Sequence, residues 1–256
     1  MGQYKSNLLF LSISFIMKAD FYEGGARAVY RDVKKRNYIV LCLLAFSLAV
    51  TLIDALVHPP YFPKIAVKVI CFLALPLLFF ARNGEEWTQF RALFRLRRRG
   101  VTAALAIGAG IYALILGGYF AVRGFVDFGA VTGSLTAGMG ITADNFLYVA
   151  VYISLLNSFL EEFFFRAFGF VTLRRHLEGA AAWLLSPVLF AVYHTGMLWG
   201  MFHPVMIVLL MAGLVVGGLI FNALCLRFES VYPAWFAHMA ANFAINTVGF
   251  ILFGAF

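Results

Sequence analysis

The chain has 256 residues, of which 63% are hydrophobic and only 12% charged, a composition far outside that of soluble domains. No extramembrane stretch is long enough to bury a core of its own. The formal charge of +8 could suggest nucleic acid, but the cations gather at the ends of apolar runs, where membrane topology accounts for every cluster.

The apolar runs are near-continuous and about 20 residues long, whereas the strands of a membrane barrel alternate over about 10. The expected fold is therefore an all-α, polytopic transmembrane helix bundle with about seven spans. In chain order, residues 1–37 read as an N-terminal cytoplasmic or interfacial segment. Residues 8–17 are apolar but too short to span, and Lys18 and Asp20 follow. They fit a short interfacial helix, or an extension upstream of a start at Met17. Met1-Gly2 with Ser6 fits the myristoylation pattern, which is short and common by chance.

Seven spans are predicted at 38–57, 65–81, 101–122, 146–170, 180–197, 205–226 and 234–256. Residues 38–144 hold the first three, and 145–256 the last four. Arg27, Arg31, Lys34, Lys35 and Arg36 precede the first span, and Arg82, Arg91, Arg95, Arg97, Arg98 and Arg99 join the second to the third. Arg174 and Arg175 follow the fourth and Arg227 the sixth, while the other loops carry mainly Lys64 and Arg123. This alternation predicts a multi-pass cell-membrane protein with a cytoplasmic N-terminus, its basic face against anionic headgroups.

Asp54 and Lys68 fall near the outer ends of their spans and read as snorkelling side chains or a mutual ion pair. The Gly- and Thr-rich stretch 123–145 reads as a flexible outer connection. His58 and His176 flank spans at headgroup level, and His203 sits in a short outer loop. Cys42, Cys71 and Cys225 lack metal or disulfide spacing and read as apolar filler. Gly213 and Gly217 form GxxxG, with Gly218 beside them; such residues let helices approach closely, within the monomer or in a homo-oligomer.

The fourth span carries the chemistry. It reads FLYVAVYISLLNSFLEEFFFRAFGF, with Glu161, Glu162 and Arg166 as its only charges. Each costs roughly 2.5–3.5 kcal/mol at the bilayer centre. Glu162 and Arg166 are i and i+4 and can neutralise each other. Glu161 lies about 100° round the helix, without a partner in its own segment. A lone intramembrane carboxylate is a functional-site candidate. Phe190-Ala-Val-Tyr-His194 closes the fifth span and His238-Met-Ala-Ala-Asn242 opens the seventh, each pair on one helix face. A glutamate, two histidines and an asparagine from three spans can meet only inside the bundle, where a water could be held and deprotonated. Phe190 reads as packing. No H-E-x-x-H, G-x-S-x-G or P-loop is present.

These three motifs resemble the CAAX protease and bacteriocin-processing family of intramembrane endopeptidases, which includes the type II CAAX prenyl endopeptidases. The family pattern is E-E-x-x-x-R, F-x-x-x-H, then H-x-x-x-N or H-x-x-x-D on successive spans, and every position matches; Ala167 replaces the glycine common after the arginine. The resemblance implies that Glu161 is general base for a water, that His194 helps bind or activate it, and that His238 and Asn242 lie at the developing oxyanion. Glu162 and Arg166 then brace the site. The implied activity is hydrolysis of a peptide bond in a peptide or lipidated protein. No cofactor is favoured; zinc held by Glu161, His194 and His238 is the alternative. Other classes are a non-enzymatic bacteriocin self-immunity protein and a proton-coupled transporter, the latter disfavoured by the lack of an internal repeat.

Depth raises one expectation more. Glu161 lies 13 residues before Arg174, roughly 20 Å along a helix, whereas His238 is only roughly 6 Å from the start of its span. A segment 229–235 dipping into the bundle, broken at Pro233, with Ala237 reachable from the cytoplasm, would reconcile the two.

Overall fold

The computed structural model describes residues 33–57 and 61–254. The expectations for the first 32 residues (interfacial helix, start at Met17, acylation at Gly2, the cations Arg27 and Arg31) lie outside the described residues, as do those for His58 and the Lys64 side chain. Contiguous helical stretches make nine helices among the described residues, and no strand. They are α1 (Val33–Val57), α2 (61–82), α3 (Gly84–Ala92), α4 (Arg98–Val122), α5 (Phe128–Met139), α6 (Phe146–Arg175), α7 (Gly179–Leu198), α8 (Pro204–Phe228) and α9 (Tyr232–Leu252). Seven of them, all but α3 and α5, are long and apolar enough to cross a membrane. These are the seven predicted spans, most of them reaching a few residues further at one end or both.

The core is aromatic. Phe164 stacks on Phe72 at 4.3 Å, Phe80 on Phe90 at 4.0 Å, and Phe163 and Phe168 meet Phe90 and Phe80 edge-on. These rings knit α2, α3 and α6 together. Residues Glu162–Thr172 of α6 are π-helical, and every residue from Glu162 to Phe170 is buried. A helix that is apolar nearly all round is one that neighbours surround on every side. A second π-turn, Ile153–Asn157, precedes it. Wide turns of this kind mark functional segments in many helices.

The predicted flexible connection at 123–145 is instead partly helical. Asp127 caps α5 by accepting from the Ala130 N–H at 3.1 Å, and Gly140 ends it with φ 67°. An acidic N-cap and a left-handed glycine are standard helix boundaries; the glycines and threonines between them hid the element. His176 flanks the end of α6, as expected. It is buried, with Nε2 3.1 Å from Glu86 Oε1, and Glu86 also takes Arg175 at 2.8 Å and Lys35 at 3.4 Å. Glu86 is the anion that Arg175, Lys35 and the His176 ring share. His203 is exposed as expected, and its ring accepts from the Val205 N–H at the start of α8.

The link from α8 to α9 is a short turn with Ser230 and Val231 buried. Glu229 ends α8 in the left-handed region, φ 47°. Ser230 Oγ donates to the Arg95 carbonyl at 2.8 Å, and the Val231 N–H to that of Leu93 at 3.0 Å. Only Ser230 and Val231 of the expected dipping segment form this buried link, while Glu229 is exposed. Pro233 does not break a helix: it sits in the first turn of α9, where its missing N–H costs nothing. Nor is Ala237 open to solvent. It is fully buried, facing Gly108 of α4, where an added Cβ would come 2.8 Å from Ala240 Cβ.

Candidate functional site

Four helices build the site. α6 contributes Asn157, Glu161, Glu162 and Arg166; α7 contributes Phe190, Tyr193 and His194; α9 contributes His238 and Asn242; α2 contributes Lys68. The antiparallel register of α9 on α6 is set by polar side chains. Trp235 Nε1 donates to the Leu155 carbonyl at 3.1 Å and to Ser158 Oγ at 3.0 Å. Asn246 Nδ2 donates to the Ala150 carbonyl at 3.2 Å and to Ser154 Oγ at 2.9 Å. Next to the Trp235 tie, His238 reaches the two glutamates, which answers the depth problem.

Glu162 and Arg166 pair as predicted, 3.1 Å apart and both fully buried. The guanidinium lies between two rings, 4.3 Å from the Phe190 centroid and 5.0 Å from that of Phe221. Cation–π contact suits a desolvated arginine. Glu162 has a second task. His238 Nδ1 donates to Glu162 Oε1 at 2.8 Å, which fixes the ring and turns Nε2 the other way. There it stands 3.6 Å from Glu161 Oε2.

Glu161 is not alone, contrary to the expectation. Its Oε1 accepts from Tyr193 Oη at 2.5 Å and from Asn157 Nδ2 at 2.6 Å, with Lys68 Nζ 3.6 Å away. Lys68 is 8% exposed and donates to both of those partners, to Asn157 Oδ1 at 2.9 Å and to Tyr193 Oη at 2.5 Å. Its reading as a snorkelling side chain is corrected. Lys68 lies 14 residues before Arg82, roughly 21 Å along a helix, the same depth that counting assigns to Glu161. That count was the available clue. Asn157, four residues ahead of Glu161, and Tyr193, beside His194, were equally visible but belong to no motif. Asp54 is buried too, its Cβ close to Gly196 of α7.

His194 is half-buried and gives Nδ1 to the Phe190 carbonyl at 2.7 Å. It lies within electrostatic range of Glu161. Phe190 is the shared wall: its ring meets His194 at 4.8 Å and His238 at 5.6 Å, both edge-on. Asn242 stands a turn away and donates Nδ2 to the Ile153 carbonyl at 3.2 Å, so one of its amide hydrogens ties α9 to the first π-turn of α6.

A zinc site from Glu161, His194 and His238 has one favourable trait. Each imidazole has its Nδ1 occupied, as ligating histidines do. The set as a whole does not fit. Among the described residues no three His, Cys, Asp or Glu side chains stand close enough to hold a metal ion, and the cation Lys68 already faces Glu161.

The GxxxG face does not contribute. A Cβ at Gly213 or Gly217 would meet open space, whereas one at Gly218 would fall 2.8 Å from Pro187 Cβ and 3.3 Å from Arg166 Nη2. Gly218 is therefore the glycine that brings α8 against the site. No curated protein and no solved structure matches the chain. Residues 143–244, which contain all three motifs, match the family model described as Rce1-like, type II CAAX prenyl endopeptidase.

Proposed function

We propose that the chain is an intramembrane endopeptidase that hydrolyses a peptide bond of a peptide or lipidated-protein substrate with a water activated by Glu161. One observation carries the reading. A deeply buried carboxylate has one oxygen loaded with donors and the other turned toward an imidazole that a second carboxylate braces. Oε2 is then the oxygen free to take a proton. The water, held also by Nε2 of His194, attacks the carbonyl carbon as its proton passes to Glu161. The carbonyl oxygen becomes an oxyanion. His238, held by Glu162 through Nδ1, turns its Nε2 edge toward that oxyanion, with Asn242 beside it. The proton on Glu161 then moves to the leaving amide nitrogen as the C–N bond breaks, and the carboxylate is restored.

The test uses purified protein in detergent with a fluorogenic farnesylated CAAX peptide and the same peptide unmodified. Glu161→Gln, which keeps the side chain's shape, lowers cleavage at least ~100-fold while gel filtration stays unchanged. Activity within severalfold of the unmutated protein overturns the assignment of the base. Exhaustive chelation in the same assay leaves cleavage unchanged; loss restored by zinc overturns the metal-free reading.

A further inference from the structure

Lys68, Asn157 and Tyr193 belong to none of the three motifs, yet they surround one oxygen of Glu161. Their hydrogen bonds form a closed ring: Lys68 to Asn157, Asn157 to Glu161, Tyr193 to Glu161, and Lys68 to Tyr193. The direction of each bond follows from one fact. An ammonium group has three donors and no acceptor. Lys68 must therefore donate to the Tyr193 oxygen, which obliges the phenolic hydrogen to point away, at Glu161. Lys68 must also donate to the Asn157 carbonyl oxygen, which fixes the amide so that its NH₂ faces Glu161. Both donors converge on Oε1, and the ammonium itself lies 3.6 Å from the same atom. Oε2 receives none of them and faces His238.

We infer that Lys68, acting through Tyr193 and Asn157, is a positioning residue that selects which oxygen of Glu161 serves as the base. The inference rests on Glu161 being that base. It gives α2 a part in the chemistry that the motifs assign to the last four spans alone. The ring also holds the carboxylate against rotation about its last bond, because three side chains from three helices would have to move with it. Its charge balance is local: one ammonium faces one carboxylate, as Arg166 faces Glu162. Losing the ring leaves Glu161 chemically intact but free to present either oxygen, or to turn its loaded side into the site. Such a loss falls on the chemical step and spares substrate binding.

The experiment measures kcat and KM on the farnesylated peptide for Tyr193→Phe, Lys68→Met, their double variant and Glu161→Gln. Tyr193→Phe removes one hydroxyl and lowers kcat about tenfold, the worth of one hydrogen bond to a charged group. Lys68→Met lowers it about a hundredfold, as misplacement of a reacting group does. KM is unchanged in both. The double variant is no slower than Lys68→Met, since members of one unit are not additive. Losses that multiply, or KM changes at constant kcat, overturn the ring as a positioning device. So does a normal kcat in Tyr193→Phe while Glu161→Gln is silent, which leaves the proposed function standing. Activity in Glu161→Gln removes the base itself, and the inference with it. If Lys68→Met does not fold, Tyr193→Phe decides alone.

Discussion

Four charges in the middle of an apolar bundle are tolerable only in pairs, and the pairs here differ in kind. Arg166 and Glu162 sit on one helix and are wholly enclosed. Arg166→Ala strands Glu162 without its cation and loosens the brace behind His238; the expected cost is about 3–5 kcal/mol. The readout is a lowered melting temperature with poor expression, and a stable, fully active variant would show that Arg166 does not hold Glu162. Lys68 and Glu161 come from different helices, and that difference explains what sequence could reveal. A pair spaced i, i+4 can be read from the chain because one helix sets its geometry. A pair between α2 and α6 depends on packing that no spacing encodes. Glu161, His194 and His238 were legible because each sits in a recognisable motif. Lys68, Asn157 and Tyr193 were not, though equal depth along α2 and α6 pointed to Lys68.

At the scale of elements, all seven spans were legible because length and apolarity decide them almost alone. The π-turns of α6 were not. Nothing in a run of phenylalanines says whether the ladder closes at i+4 or i+5; neighbours pressing on every side settle it. Nor could composition tell which glycine packs. The predicted GxxxG pair faces outward, and Gly218 takes the contact with Pro187. Gly218→Leu would force α8 away from α7 and push on Arg166, an overpacking cost of about 1–3 kcal/mol, with cleavage reduced in parallel. Gly213→Leu should shift stability by no more than about 0.5 kcal/mol, since it enters open space. Thermal unfolding of the two variants side by side checks this. Equal destabilisation would mean that α8 presents a different face, and a change of oligomeric state on Gly213→Leu would reveal a partner there.

For the whole molecule, the distribution of arginines predicts a cytoplasmic N-terminus. Thr88 in α3 and Ala137 in α5 are both exposed, on connections that this topology places on opposite sides. In a background without Cys42, Cys71 and Cys225, a cysteine at position 88 should react with a membrane-impermeant maleimide only after the inner face is opened, and one at 137 in intact cells. The reverse pattern would invert the topology. The two kinds of charge pair also bear on biosynthesis. On an insertion scale Glu161, Glu162 and Arg166 together cost about 8–10 kcal/mol at mid-membrane, and pairing within α6 relieves Glu162 and Arg166 only. The countercharge of Glu161 resides on α2, which leaves the ribosome roughly ninety residues earlier. When α6 emerges, its ammonium partner already waits in the bilayer. The order of helices along the chain thus supplies a berth for the buried carboxylate before that carboxylate arrives, and a span unfit to rest in lipid alone never has to.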